Sequence, residues 1–482
     1  MNAFHMMLGV CCCTAALALF CGNATAGDLR SSGNRFDYVI VTPSAYSSRM
    51  QDLADFRQTH DGLRSIVVPF DSILTQFGAG TSPDSALRGF IGCALSTWGT
   101  PRPRYFLLAG NIDAIPSHFE PEQLVDPDHA VFDSLFIDQW FIESDRSGEG
   151  ESRVLASIGR LPAWDSAGIA GMVSRILEYE RMGTDTWSGR ALCLADYQAG
   201  EGDAFEHDAL ALGSALARGW PDTVTVHMRE DSPLYRNPSQ FRSLWSEGAA
   251  VVAYCGHASP GDLSSARYFT CCDVDSLCNG LRLPLALLGG CDLRFDGDCH
   301  SSIPVHLLSC GSGGAIAVVA SEGLIYESDV ESFLAAIIGR LAGFPGTTAG
   351  EAFVAAKNDA GNPFILRRYT FLGDPALHIK QVSPVVSTIP PPDRPGSFAL
   401  DQNYPNPFNS STTISYLLPR LTRVTLGVYD VLGRRVAMLV DAEQPAGPHR
   451  AAFDGTALGS GAYYVVLRAG ESVIVRRSIL LK

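Results

Sequence analysis

Apolar residues recur along this chain in two periods, and the change from one to the other divides it. From residue 36 to about residue 380, short continuous apolar runs alternate with stretches of helical spacing. Phe36–Pro43 (FDYVIVTP) is a buried strand, followed by helical spacing from Ser44 through Leu53 and Phe56 to a closing Gly62. Leu63–Phe70 is the next strand. Ser82 then caps a helix with Pro83 in its first turn and Leu87, Phe90, Ile91, Ala94, Leu95 and Trp98 on one face. Arg104–Gly110 is again a strand, and Asp165 caps a helix whose apolar face is Ile169, Val173, Ile176 and Leu177. Further strands start near Arg190 and cover Val251–Cys255, Leu283–Gly290 and Gly313–Ser321, and Tyr369–Ile379 closes the region. This order predicts an α/β fold, a mostly parallel sheet flanked by helices.

At Ser383–Gly396 (SPVVSTIPPPDRPG) apolar periodicity stops and prolines accumulate, the composition of a stiff linker. Beyond it the period is two: Val424, Leu426 and Val428 alternate with Thr425 and Gly427, and later runs repeat the pattern. The tail is therefore expected to be a separate small antiparallel β-sandwich. Its single histidine is His449 and it has no cysteine, which leaves it poor in chemistry.

Composition narrows the function classes. The chain has 482 residues, 46% hydrophobic and 18% charged, with a formal net charge of −15 and no Lys/Arg-rich run. Such a chain is a poor partner for nucleic acid or anionic lipid. Residues 1–26 read as a signal peptide, with an apolar core from Met6 to Phe20 and an Ala24-Thr25-Ala26 cleavage signal before Gly27. No Lys or Arg precedes that core, which leaves a start further upstream open. Cys21 raises a lipoprotein alternative, against which bulky Phe20 argues. No other apolar run is long enough to span a bilayer. Nine cysteines follow the leader: Cys93, Cys193, Cys255, Cys271, Cys272, Cys278, Cys291, Cys299 and Cys310. An odd number in an exported chain reads as pairs plus one free thiol, or as reduced cysteines packed like small hydrophobes.

Two of the buried strands end in chemistry. VVAYC runs into Gly256-His257, and LPLALLGG runs into Cys291. In open α/β sheets ligands sit beyond the carboxyl ends of the strands. If these strands are neighbours, His257 and Cys291 share one crevice. An imidazole beside a thiol favours the thiolate or takes its proton. The backbone N–H groups of Ala258 and Cys291 then become candidate oxyanion donors. Gly256, Gly289 and Gly290 would leave room for a substrate backbone. Cys255 is nearer His257 in sequence but lies inside its strand, where packing is its ordinary role.

Two metal readings compete. Cys299, His300, His306 and Cys310 could hold zinc, although their spacing matches no familiar knuckle. Asp292, Asp296 and Asp298 could hold calcium, against the plainer reading of a solvated loop. Asp374, before Pro375, reads as a turn residue.

Several stretches, in order, resemble the gingipain family of secreted cysteine peptidases, whose catalytic domain is related to the caspases. They are YFLLAGNIDAIP, IGRLPAW with ILEYE, YCGHAS, LLGGCD, GGAIAVVAS, GEAFVAAK and YTFLGDPALHI, across roughly residues 36–380. QNYPNPFN, VYDVLGRRV and GAYYVVLRAG resemble the C-terminal sorting domain of type IX secretion substrates. The resemblance implies a caspase-like fold of two α/β subdomains, residues 27–195 and 196–382, with the linker at 383–396 and the sorting domain at 397–482. It implies His257 as the family histidine, Cys291 as the nucleophile, and Ala258 where the family has glycine. It implies protein or peptide substrates, no required cofactor, calcium as a structural ion, and export to the cell surface by the type IX machinery. The family's early acid falls on Asn111, the acid before I-G-R on Leu155, and the specificity residue on Gly168, so a third catalytic member and arginine preference are not carried over. A catalytically inactive surface interaction protein on the same scaffold is the alternative.

Overall fold

The computed structural model describes residues 27–125, 130–144, 153–197, 204–297, 300–344, 346–360 and 363–382, and beyond them 399–400, 403, 406, 408–418, 422–430, 434–444, 447–469 and 472–482. The leader at 1–26, its four cysteines and the linker at 383–396 lie outside the described residues. Compactness separates two units, one up to Pro384 and one from Val385.

In the first unit the chain lays down β1 (Tyr38–Thr42), β2 (Ser65–Pro69) and β3 (Tyr105–Ala109). An antiparallel hairpin of β4 (His118–Val125) and β5 (Ala130–Ile137) follows, which the strand–helix alternation did not announce. Next come β6 (Ser157–Leu161), β7 (Arg190–Ala195), β8 (Asp222–His227) and β9 (Val251–Cys255). A small ribbon of β10 (Ala258–Ser259), β11 (Asp262–Leu263) and β12 (Phe269–Thr270) precedes β13 (Leu285–Gly289), β14 (Ala317–Ser321) and β15 (Tyr369–Leu372).

Ten of these strands form one sheet in the order β2-β1-β3-β6-β15-β14-β13-β9-β7-β8. Among the described residues its pairings are parallel, except that β14 meets β15 antiparallel. The sheet is therefore two parallel halves pointing in opposite directions, and their carboxyl ends lie at opposite edges. It runs continuously across residue 195, with β7 in the second half and the late strand β15 in the first.

The apolar runs are continuous because both faces of the sheet are covered. On β1, Tyr38 and Ile40 enter one core cluster with Met50 and Leu53 of the helix Ser47–His60, while Val39 and Val41 enter another with Phe90 and Ile91 of the helix Pro83–Thr97. Pro83 opens that helix, but the Ser82 hydroxyl turns to Asp84 and Ser85 rather than to a backbone N–H. Leu95 is half-buried, and Trp98 follows the helix, buried, with its indole N–H on the Leu29 carbonyl at 2.8 Å. Asp165 caps its helix as expected, accepting the Gly168 N–H at 2.7 Å, with Ile169, Val173 and Ile176 buried.

Asp374 does more than turn the chain. It accepts the Ala376 N–H at 2.9 Å, but it is also fully buried against Arg57, at 2.9 and 2.8 Å, and the Tyr38 hydroxyl, at 2.9 Å. Arg57 continues to Glu180 at 2.9 Å. A buried cation requires such paired acceptors, and the arrangement ties the segment after β15 to β1 and two helices.

The second unit is built of antiparallel sheets. Ala399–Leu400, Ser411–Leu418 and Gly447–Asp454 form one, and Arg435–Gln444, Thr422–Tyr429, Gly461–Ala469 and Ser472–Leu480 the other. Val424, Leu426 and Val428 are buried with Ile414, Phe453, Val465 and Leu467 in one core, which is what period two demands of a strand with one inward face.

Candidate active site

Strands β7, β9 and β13 lie side by side near the edge of the second half. Ala195, Cys255 and Gly289 are in register across them. The residues that follow therefore emerge together: Asp196 after β7, Gly256 and His257 after β9, and Gly290 and Cys291 after β13. His257 and Cys291 line one pocket of about 390 Å³ with Phe205, Gly256, Gly289, Ile325 and Val330. Phe205 comes from the helix Ala204–Leu216 and meets the imidazole edge to face at 5.2 Å. Val330 comes from the helix Glu327–Gly343.

The histidine is held through its backbone. Its N–H donates to Asp196 Oδ2 at 3.0 Å, and its carbonyl accepts from the Tyr254 hydroxyl and from the Ser264 N–H at 2.8 Å. Asp196 Oδ1 also accepts the Tyr197 N–H at 2.7 Å. Burial, and then the Asp196 charge, push the Tyr254 hydroxyl well above its ordinary range, so it stays protonated and donates.

The cysteine is held by the loop after β14. Its thiol donates to the Ile325 carbonyl at 3.7 Å, the Asp292 N–H donates to the Gly323 carbonyl at 2.8 Å, and the Ser321 hydroxyl reaches the Gly290 carbonyl. Asp292 adopts φ of 55°, the left-handed region that a short polar side chain tolerates. The Phe295 N–H donates to Glu322 Oε1 at 3.0 Å. Glu322 is fully buried, and burial followed by the nearby Asp296 and Asp138 drives its carboxyl well above the usual carboxylate range.

Ala258 opens the ribbon opposite Leu263. Opposed residues in an antiparallel ladder alternate between bonded and non-bonded pairs. The Ser264 N–H donates to the His257 carbonyl, one bond of the bonded position, which makes Ala258 and Leu263 a non-bonded pair whose N–H groups face away from each other.

Gly256 and Gly289 line the pocket, and all three glycines are closely packed. A Cβ on Gly256 would run into Asp196 and the Tyr254 hydroxyl, one on Gly289 into Val330 and the Tyr254 carbonyl, and one on Gly290 into Ala258 Cβ at 2.6 Å. The space a Cβ would take is filled by the protein itself, while Gly256 and Gly289 present backbone to the pocket. Cys255 is fully buried, and burial pushes its thiol well above the ordinary range, which makes it inert packing.

Of the metal candidates, the His300 and His306 rings lie 5.7 Å apart. His306 Nε2 meets Asp275 at 2.8 Å, the Cys310 thiol meets the Val274 carbonyl at 3.5 Å, and Cys299 lies outside the described residues. Asp292 pairs with Arg294 at 2.5 Å, and Asp298 is outside the described residues. Among the described residues no three metal-ligating side chains gather. Cys93, Cys193, Cys255, Cys272, Cys278 and Cys310 form no disulfide. Cys193 instead donates to the Ala209 carbonyl at 3.3 Å. Asn111 is buried at a turn, Leu155 is 56% exposed, and Gly168 sits in the first turn of Ser166–Arg181. None of them lines the pocket, which the helices Ala204–Leu216 and Glu327–Gly343 reach through Phe205 and Val330. Asp196, Tyr254, Phe205, Ile325 and Val330 went unmarked in the sequence. The available signal for Asp196 was a lone acid at the end of the apolar run RALCLA.

The model of peptidase family C25 matches residues 31–380, and that of the secretion system C-terminal sorting domain matches residues 402–481. No curated protein matches the chain. Among solved structures, the Arg-specific cysteine proteinase gingipain R (RgpB) is similar at TM-score 0.57 and 17% identity, covering 93% of this chain and 98% of that one. The complex of Porphyromonas gingivalis RgpB pro- and mature domains is similar at TM-score 0.56 and 17% identity, covering 92% and 100%. A structure described only as a protease has TM-score 0.57 and 13% identity, covering 94% and 99%. The shared fold is the caspase-like sheet with flanking helices. The tail is the type IX sorting domain, which addresses the chain for secretion and the cell surface. With 350 consecutive residues matched, the chain belongs to peptidase family C25.

Proposed function

We propose that the protein is a secreted cysteine endopeptidase in which Cys291 is the nucleophile and His257 the general acid and base. The observation that carries this reading is the placement of both side chains on one pocket, at the same register beyond adjacent parallel strands. The family match and the cysteine proteinases of like fold support it.

In the proposed cycle His257 takes the Cys291 proton. The thiolate sulfur attacks the scissile carbonyl carbon, a C–S bond forms, and the N–H groups of Ala258 and Cys291 receive the oxyanion. The imidazolium then passes its proton to the leaving amine as the C–N bond breaks. Water, deprotonated by His257, attacks the thioester, and the acid product leaves as the thiol regains its proton.

The test is cleavage of a mixed peptide library under reducing conditions by the purified protein, Cys291→Ala and His257→Ala. The reading predicts cleavage by the first alone. Equal cleavage by all three sinks the assignment, and no cleavage by a folded parent chain favours the inactive surface protein.

The sorting domain gives a second expectation. Residues 397–482 fused to an inert reporter behind the leader are expected to carry it outside a host with a type IX system. A reporter retained in the periplasm would count against that role.

A further inference from the structure

We propose that Asp196 is a positioning residue for this chemistry: with Tyr254 it fixes the His257 backbone from both sides, and so sets the imidazole and the Ala258 N–H together against Cys291. The inference rests on the Cys–His reading and adds to it a residue that does not touch the reacting atoms.

Four observations carry it. First, Asp196 is 1% exposed and rooted in the sheet, because its own N–H donates to the Cys255 carbonyl at 2.9 Å, one step beyond the last β7–β9 pair. A carboxylate in such a place is costly unless its oxygens are satisfied. Second, the two oxygens face two different backbone donors, His257 N–H at 3.0 Å and Tyr197 N–H at 2.7 Å. Third, the buried Tyr254 hydroxyl takes the His257 carbonyl, so both polar groups of that one residue are held by side chains. Fourth, Gly256 has no room for a Cβ because Asp196 and Tyr254 close on it. His257 and Ala258 are consecutive, so a shift in one moves the other.

The chemistry also explains why an acid stands there. A carboxylate presents only acceptors, whereas an amide presents one acceptor and one donor group. Asp196→Asn keeps the shape but turns an NH₂ toward one of two N–H donors.

The experiment measures kcat, KM and unfolding midpoint for the full chain, Asp196→Asn and Tyr254→Phe, with His257→Ala as reference. Site-resolved iodoacetamide labelling of Cys291 is followed alongside. A misplacement of the order of an ångström costs about 100-fold. Asp196→Asn is therefore expected to lose about 100-fold in kcat with KM little changed, and Tyr254→Phe to lose less in the same direction. Tyr254→Phe, which deletes a single oxygen, keeps the test open if Asp196→Asn does not fold. Activity near the parent level in Asp196→Asn, or in Tyr254→Phe where Asp196→Asn does not fold, overturns the positioning role, as does a loss no larger than the unfolded fraction explains. If His257→Ala changes neither cleavage nor Cys291 labelling, the Cys–His reading fails and the positioning role with it. Parent-like Asp196→Asn beside an inactive His257→Ala overturns the positioning role alone.

Discussion

The two loops that meet in the pocket are anchored in different ways. The histidine loop is tied by side chains to backbone, with a buried carboxylate and a buried phenol gripping His257 itself. The cysteine loop is tied largely through main-chain groups of the segment after β14, whose carbonyls at Gly323 and Ile325 take the Asp292 N–H and the Cys291 thiol. In the proposed cycle the general acid and base keeps its orientation through several proton transfers, and His257 is held at both of its backbone polar atoms. The proposed nucleophile changes its bonding partner during that cycle, and the Cys291 thiol rests on a long contact of 3.7 Å. One loop is held at its reactive residue, and the other is held around it.

The largest effects should come from the reactive residues. Cys291→Ala and His257→Ala are each expected to lower kcat by about 10⁴-fold or more, with little further loss in the double variant. Steady-state assays of the three proteins check this, and additive losses would separate the two loops functionally.

Next is the packing between the loops. Gly290→Ala would place a methyl 2.6 Å from Ala258 Cβ, and overpacking of this kind costs about 1–3 kcal/mol. Denaturant unfolding is expected to show that loss, and a parent-like midpoint would mean that the loops are less tightly joined than described.

A third prediction concerns only the cysteine loop and turns on pH. The Glu322 carboxyl is held well above its ordinary range, so the folded chain keeps a proton that the unfolded chain releases. Its contribution is fully present below the unfolded value, about 4.3, and is lost as pH rises toward the raised folded value. Glu322→Gln retains an acceptor for the Phe295 N–H and removes the titration. Its unfolding temperature relative to the parent should therefore climb from pH 5 to pH 8, and a difference independent of pH would remove Glu322 from the account.

The smallest effect should be Ala258→Gly, which leaves the N–H in place. A stability loss of roughly 0.5–1 kcal/mol is expected from glycine entropy alone, with kcat within a few-fold. A large gain in kcat would show that the methyl at 258 obstructs the substrate after all.

Much of this was legible in the sequence. Continuous apolar runs marked the strands, and the rule that ligands sit beyond parallel strand ends paired His257 with Cys291 instead of the adjacent Cys255. Period two marked the tail. What escaped was contact at long sequence separation. Asp196 lies 61 residues from His257, and no local pattern reports that a carboxylate at the end of β7 will face that N–H. The glycines were visible, but their neighbours were not, so the packing of Asp196, Tyr254 and Val330 against them went unread. Asp374 read as a turn because its partner Arg57 comes from a helix 317 residues away.

In the proposed chemistry His257 activates Cys291 within one pocket. Site-resolved alkylation at pH 6 tests it directly, comparing Cys291 with the exposed Cys272 and Cys278 in the parent chain and in His257→Ala. Cys291 is expected to react far faster than the exposed thiols in the parent, and His257→Ala to abolish the advantage. Reaction of Cys291 at the same rate as Cys272 and Cys278, with or without His257, would contradict it.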